Sequence, residues 1–222
     1  MASKFFKKED TLNPYDSWKY LYPPRPEIAI IPQMLHLYEN LKWVAQFKKN
    51  GTNTIIGISP DKKFYAMNRY GENHKAWQLT DHIKSELSKL FPKNLWYVLC
   101  AEIMHSKTQT IKDTIYIHDI LVNDSNYLVG TSFIFRQNIL NNLFISKNET
   151  KTHYVVDTQD KIWYAKLIVC DFIDMFNAIE NTQIDEGLVL KNPNGILHLC
   201  TKSTSNADWS VKCRHPTKSY NF

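Results

Sequence analysis

Apolar residues along this chain fall into two kinds of run. Most are short, rich in β-branched and aromatic residues, and bounded by turn signals. Residues 43–47 (WVAQF), 52–59 (TNTIIGIS), 63–70 (KFYAMNRY), 96–104 (WYVLCAEIM), 114–122 (TIYIHDILV) and 125–130 (SNYLVG) read as strands. The turns at Lys49-Asn-Gly51 and Ser59-Pro-Asp-Lys62 have hairpin length, so antiparallel pairing is expected across them. Helical spacing is rarer. It marks 33–42 (QMLHLYENLK), 80–91 (TDHIKSELSKLF), 131–146, with Arg136 and Gln137 in the middle, and 165–180 (AKLIVCDFIDMFNAIE). Thr80 or Asp81 is the N-cap of the second of these, and Pro92 stops it. Strands are expected again at 153–157 (HYVVD), at 162–164 (IWY), in EGLVLK before an Asn-Pro-Asn-Gly turn, in ILHLCTK and in DWSVKCR. The pattern predicts an α+β domain of largely antiparallel sheets with a few helices packed on them.

Length and composition bound this picture. A chain of 222 residues makes one domain, with enough buried surface to need no staples. Residues 1–26 are polar, aromatic and proline-rich, and read as an extended arm preceding a domain over 27–222. No apolar run approaches the roughly 20 residues that span a bilayer, and the start lacks a secretory pattern. A cytoplasmic, monomeric protein with no membrane partner is expected. The four cysteines, Cys100, Cys170, Cys200 and Cys213, form no CxxC pair and read as reduced, mostly buried thiols. A net charge of +5 is compatible with a polyanionic partner but does not single one out. The eight histidines show no metal-binding spacing, so no structural zinc is expected.

Five short elements carry candidate chemistry. In Gln46-Phe-Lys48-Lys49-Asn50-Gly51, a strand ends in a lysine beside a tight turn, and a lysine amine is a nucleophile where its surroundings favour the neutral form. In Asn68-Arg69-Tyr70-Gly71, the planar guanidinium suits a phosphate. Glu102 and Asp119 each interrupt an apolar strand, where a carboxylate must be exposed, paired or metal-bound. Asp185-Glu186-Gly187 opens an apolar strand that ends at Lys191, and Lys212 and Arg214 share one face of the last strand. Each alone has an ordinary structural explanation: a surface hairpin, a turn arginine, an outward carboxylate, a solvated edge.

Taken in order, KKNG, RYG, AEI, YIHDIL, EGLVLK and KCR resemble the six-part signature of the covalent nucleotidyltransferases, the superfamily of ATP-dependent DNA and RNA ligases and mRNA capping enzymes. The resemblance covers about residues 43–214 and implies a ligase-type, ATP-grasp-like nucleotidyltransferase domain. It implies that Lys48 takes AMP from ATP as a phosphoramidate, with Gln46 at the base, Phe47 among the nucleotide-binding residues and Arg69 at the nucleotide sugar or a nucleic-acid phosphate. Glu102 and His118 would contact the nucleotide, and Lys191, Lys212 and Arg214 would lie at its phosphates. Glu186 would join Glu102 in holding Mg²⁺ or Mn²⁺. The implied activity is an ATP-dependent polynucleotide ligase that seals 5′-phosphate to 3′-hydroxyl ends of DNA or RNA. A GTP-dependent capping guanylyltransferase and an inactive module that binds nucleic-acid ends are the alternatives. Three positions depart from the pattern: His118 stands for the usual Phe or Tyr, Asn50 for Asp and Arg214 for Lys. The sequence as given ends at Phe222, soon after Arg214, which leaves no room for the family's OB-fold domain. A protein partner in its place, and a phage or viral source, are expectations of the same kind.

Overall fold

The hydrophobic runs build two sheets that share one joint. The computed structural model describes residues 14–145, 147–180, 182–199, 202–204 and 206–216; residues 1–13 of the expected arm, and Cys200 and Thr201, lie outside these. In chain order, β1 (Ala29–Ile30) and a short 3₁₀ turn lead into α1 (Leu35–Asn40). Next come β2 (Val44–Lys49), β3 (Thr52–Ile58), β4 (Phe64–Met67) and α2 (Asp81–Leu90). Then follow β5 (Tyr97–Met104), β6 (Thr114–Asn123), β7 (Asn126–Tyr127) and α3 (Phe133–Leu143). The chain continues through β8 (Asn148–Glu149), β9 (His153–Val155) and β10 (Ile162–Ala165) to α4 (Phe172–Asn177), β11 (Asp185–Lys191) and β12 (Ser210–Arg214).

One sheet runs β1-β12-β11-β2. The other runs β4-β3-β5-β6-β10-β9-β8, with β7 beside β6. Pairing is antiparallel except for β1 with β12 and β10 with β6. Thr80 caps α2 by accepting from the Ile83 N–H, and Ser132 caps α3 in the same way. Ile83 and Leu87 of α2, Leu140 of α3 and Phe91 and Phe144 beyond them pack into the core of the large sheet. Leu35 of α1 and Phe172 and Phe176 of α4 cover the small one. Tyr15 is fully buried in the large core, and the Trp18 ring lies where a Cβ on Gly57 would stand, stacked on Tyr65 at 4.4 Å. Among the described residues no helix is long and apolar enough to cross a membrane. Cys100 and Cys213 are buried without a disulfide, while Cys170 is exposed.

Four expectations change. The Lys49-Asn-Gly51 turn is not a hairpin: β2 pairs with β11, β3 pairs with β4 and β5, and the turn carries the chain from one sheet to the other. The Asn50 N–H bonds to Ile184 O, which ties the crossing to β11 rather than back to β2. Of the helix expected over 165–180 only Phe172–Asn177 forms. Ala165 belongs to β10, Ile168 exchanges both backbone hydrogen bonds with Ala45, and Asp171 takes a left-handed φ of 59° that blocks an earlier start. The described part of ILHLCTK is no strand; Ile196 makes only an isolated bridge to Ser132. SNYLVG shortens to the two residues of β7.

Candidate active site

A cavity of about 210 Å³ opens where the sheets meet. It is lined by Gln46 and Lys48 of β2, Asn53 of β3, Glu102 of β5, His118 of β6, Val189 and Lys191 of β11, and Ser210, Lys212 and Arg214 of β12. Arg69 and the Pro23–Pro26 segment are among the other residues that border it. The placement follows from strand alternation. Gln46 and Lys48 point to one face of β2, as Ser210, Lys212 and Arg214 do on β12.

Glu186 reaches this face by an irregularity. Gly187 pairs with Lys48 and Val189 with Gln46, so alternation would send Glu186 to the core side with Leu188. A register shift between Asp185 and Gly187 makes Glu186 the extra residue of a bulge, and its carboxylate accepts from Lys48 Nζ. Gly187 is required there: its φ is 148°, and a Cβ would stand 2.0 Å from Cys213 O. The preceding pair points the other way. Lys49, 1% exposed, pairs with Asp185 at 2.7 Å and donates to Thr152 Oγ1 at 2.9 Å, among the rings of Tyr116 and Trp163. Burial lowers the Lys49 pKa and raises that of Asp185.

The inner end of the cavity is a fully connected polar network. Lys191 Nζ donates to Gln46 Oε1 at 2.7 Å, and the Gln46 amide donates to Gln137 Oε1 and His118 O. Behind it Arg136 grips Asp119 through two bonds of 2.9 and 3.0 Å. Against the effect of burial, Arg136 and Lys191 hold the Asp119 carboxyl below its ordinary range. Burial brings Lys191 down to about 8 and His118 down to about 3, so the imidazole is neutral at physiological pH. Asp119 is therefore a buried ion-pair partner and is neither exposed at an edge nor free for a metal. Phe47 borders the cavity but packs its ring into the small core, and its carbonyl accepts from the Tyr116 hydroxyl.

The outer end is rich in cations. Arg69 sits on an exposed turn with its guanidinium 4.7 Å from the Tyr70 ring. Burial, Arg214, Lys48 and Arg25 together lower the pKa of Lys212. Burial pushes Glu102 up to about 7 against the opposing pull of Lys48 and Lys107, with Glu186 adding repulsion. Gly51 lets its backbone lie against Glu102: a Cβ there would come within 3.0 Å of Glu102 Cβ and 2.9 Å of Ile103 O. Lys107 Nζ holds the same turn through Gly51 O at 2.6 Å.

The structure thus gathers Gln46, Phe47, Lys48, Arg69, Glu102, His118, Lys191, Lys212 and Arg214 around one cavity, with Glu186 bonded to Lys48. Asn53 and Ser210 escape the sequence reading, in which Pro23–Pro26 is only part of an extended arm. Asn53 and Ser210 are ordinary strand residues by pattern, yet Asn53 Oδ1 and Ser210 Oγ are buried without a hydrogen-bond partner. Among the described residues there is no group of three or more His, Cys, Asp or Glu that could hold a metal ion. The available donors are the two carboxylates Glu102 and Glu186. They fit Mg²⁺ or Mn²⁺, which take one or two carboxylates and complete their shell with water and phosphate oxygens. The under-compensated charge of Glu102 favours such a cation.

No family model and no curated protein matches the sequence. Solved structures do. The structure titled mycobacterial DNA ligase D complexed with ATP and MES superposes with a TM-score of 0.55 at 15% identity, over 78% of this chain and 54% of that one. The ligase domain of LigD from M. tuberculosis gives 0.57 at 14% identity, over 86% and 59%. The ATP-dependent DNA ligase of bacteriophage T7, in complex with ATP, gives 0.54 at 12% identity, over 87% and 68%. The fold is that of the nucleotidyltransferase domains of ATP-dependent ligases. This chain spans about half the length of the mycobacterial ligase D structure.

Proposed function

We propose that the chain is the adenylyltransferase core of an ATP-dependent polynucleotide ligase. The observation that carries this reading is the position of Lys48. Its amine stands at the joint of the two sheets, bonded to Glu186, in a cavity whose outer end holds Arg69, Lys212 and Arg214. Cations gathered there favour a polyphosphate. The unpartnered Asn53 Oδ1 and Ser210 Oγ mark hydrogen-bonding positions for a ligand.

Lys48, freed of one proton, attacks the α-phosphorus of ATP. The N–P bond forms as the bond to the β-phosphate bridging oxygen breaks, and pyrophosphate leaves. Glu186 is the proton acceptor within hydrogen-bonding reach of Nζ. Lys212 and Arg214 stabilise charge on the transferring phosphoryl group. Glu102 and Glu186 would hold the divalent ion, which when bound adds Lewis-acid stabilisation of the same charge. Gln46, fixed by Lys191 and Gln137, and His118, neutral and able to stack, form the base end. AMP then passes to a 5′-phosphate end, and a 3′-hydroxyl displaces it to seal DNA or RNA.

Incubating the protein with ATP or GTP labelled at the α-phosphate tests the first step, and joining assays on nicked DNA, nicked RNA and single-stranded RNA test the rest. Acid-labile, alkali-stable, Lys48-linked label from ATP and sealing of one substrate are expected. Label from GTP alone would redirect the reading to a guanylyltransferase. No label from either would end it.

A further inference from the structure

The Pro23-Pro24-Arg25-Pro26 segment belongs to none of the motifs discussed above, yet it forms a wall of the cavity. It is fastened on both sides. Upstream, Trp18 is seated over Gly57, and the Tyr20 hydroxyl donates to Asn68 O at 2.7 Å, in the turn that carries Arg69. The Tyr20 ring also lies 3.3 Å from where a Cβ on Gly71 would stand, and Gly71 has a φ of 81°. Downstream, Arg25 O accepts from the Ala207 N–H at 2.8 Å in a bridge to Asn206, and β1 then pairs with β12. Three prolines fix φ along the segment, so its placement carries little conformational freedom.

The half-buried side chain at the centre of this wall is a guanidinium. Nη1 donates to Ser203 O at 2.8 Å, and among the described residues no carboxylate pairs with it. It is close enough to Lys212 to disfavour the charge there. A third cation brought beside Lys212 and Arg214 on a braced segment, where Glu27 is the carboxylate that favours the Lys212 charge, adds positive potential that suits an anion.

We infer that Arg25 is a phosphate-binding residue of this cavity, supplied by the N-terminal segment rather than by the two sheets. The inference rests on the ligase reading above. The phosphate is either that of the bound nucleotide or that of the nucleic-acid end, since both present the same pair of non-bridging oxygens to the planar guanidinium.

The test compares wild type, Arg25→Gln, which keeps a donor for Ser203 O without the charge, and Arg25→Lys, which keeps the charge. Near-ultraviolet circular dichroism confirms folding. Three quantities are read: the ATP concentration for half-maximal labelling, the inhibition constant of adenosine against labelling, and the rate of sealing preadenylated strands. Arg25→Gln should raise the ATP requirement or slow sealing about tenfold or more, with partial rescue in Arg25→Lys and no change for adenosine. A change confined to ATP assigns the nucleotide phosphates, and one confined to sealing assigns the nucleic-acid phosphate. An unaltered Arg25→Gln protein overturns the inference and leaves the ligase reading standing. So does equal weakening toward ATP and adenosine, which would make the segment a brace only. A wild type that takes no label and seals nothing overturns both.

Discussion

Lys48 and Glu186 are separated by 138 positions, yet the amine of one donates directly to the carboxylate of the other. The contact exists because β2 pairs with β11 rather than with β3, and because a bulge turns Glu186 to the cavity side. The next residues, Lys49 and Asp185, form a second pair on the opposite face of the same two strands. Two adjacent ion pairs thus divide the work between the cavity and the core.

Lys48→Ala should fold as the wild type does and take no label from ATP. Its side chain lies at the cavity and holds no part of either core. Peptide mapping of labelled wild type should find AMP on Lys48. Label on any other lysine would sink the assignment.

Glu186→Ala should slow labelling by about 10²–10³, the usual loss when a transition-state charge contact goes. Gly187→Ala should do at least as much damage without touching a functional group. Its Cβ would meet Cys213 O at 2.0 Å and unmake the bulge that aims Glu186. Equal labelling rates in wild type and Glu186→Ala, measured at saturating ATP and Mg²⁺, would reduce the carboxylate to a structural role.

The Lys49–Asp185 pair predicts a stability effect. Lys49→Ala leaves a buried carboxylate without its counter-charge and should cost about 3–5 kcal/mol in urea unfolding. The double variant Lys49→Met with Asp185→Leu removes both charges among Phe47, Tyr116 and Trp163 and should recover most of that loss. Failure of the double change to recover would show that the pair, rather than its broken half, is what stabilises the strands.

The strands that build the site were legible because β-branched runs between turn signals leave few alternatives, and the cap at Thr80 follows from side-chain chemistry. The sheet arrangement was not. A turn of hairpin length at Lys49-Asn-Gly51 says nothing about whether its flanking strands prefer each other or partners far along the chain. Alternation alone places Glu186 with the core-facing Leu188, and the bulge that reverses it depends on β11 meeting β2. Asp119 is unexplained in sequence until α3 lays Arg136 against it, 17 residues on. The wall around Arg25 had no motif at all. Its place comes from Trp18 and Tyr20 finding glycines whose neighbours are distant in sequence.

Glu102 gives the prediction with the most direct pH signature. Burial lifts its carboxyl from an ordinary 4.5 to about 7 in the folded protein. Between those values the native state keeps a proton that the unfolded chain releases, so this group makes stability fall as pH rises through the window. Its destabilising effect is complete above pH 7 and absent below 4.5. The groups acting on it are Lys48, Lys107, Glu186 and Arg214, while His118 and His153, both held at about 3, do not titrate in the window. Glu102→Gln is neutral at every pH. It should therefore unfold at higher urea than wild type at pH 8, and the gap should close as pH falls toward 4.5. Added Mg²⁺ with a non-hydrolysable ATP analogue should raise wild-type stability at pH 8 more than that of Glu102→Gln, because only the carboxylate gains a counter-charge. Parallel stability curves for the two proteins from pH 4.5 to 8 would show that Glu102 is already compensated and would remove it as the charge-deficient group of the site.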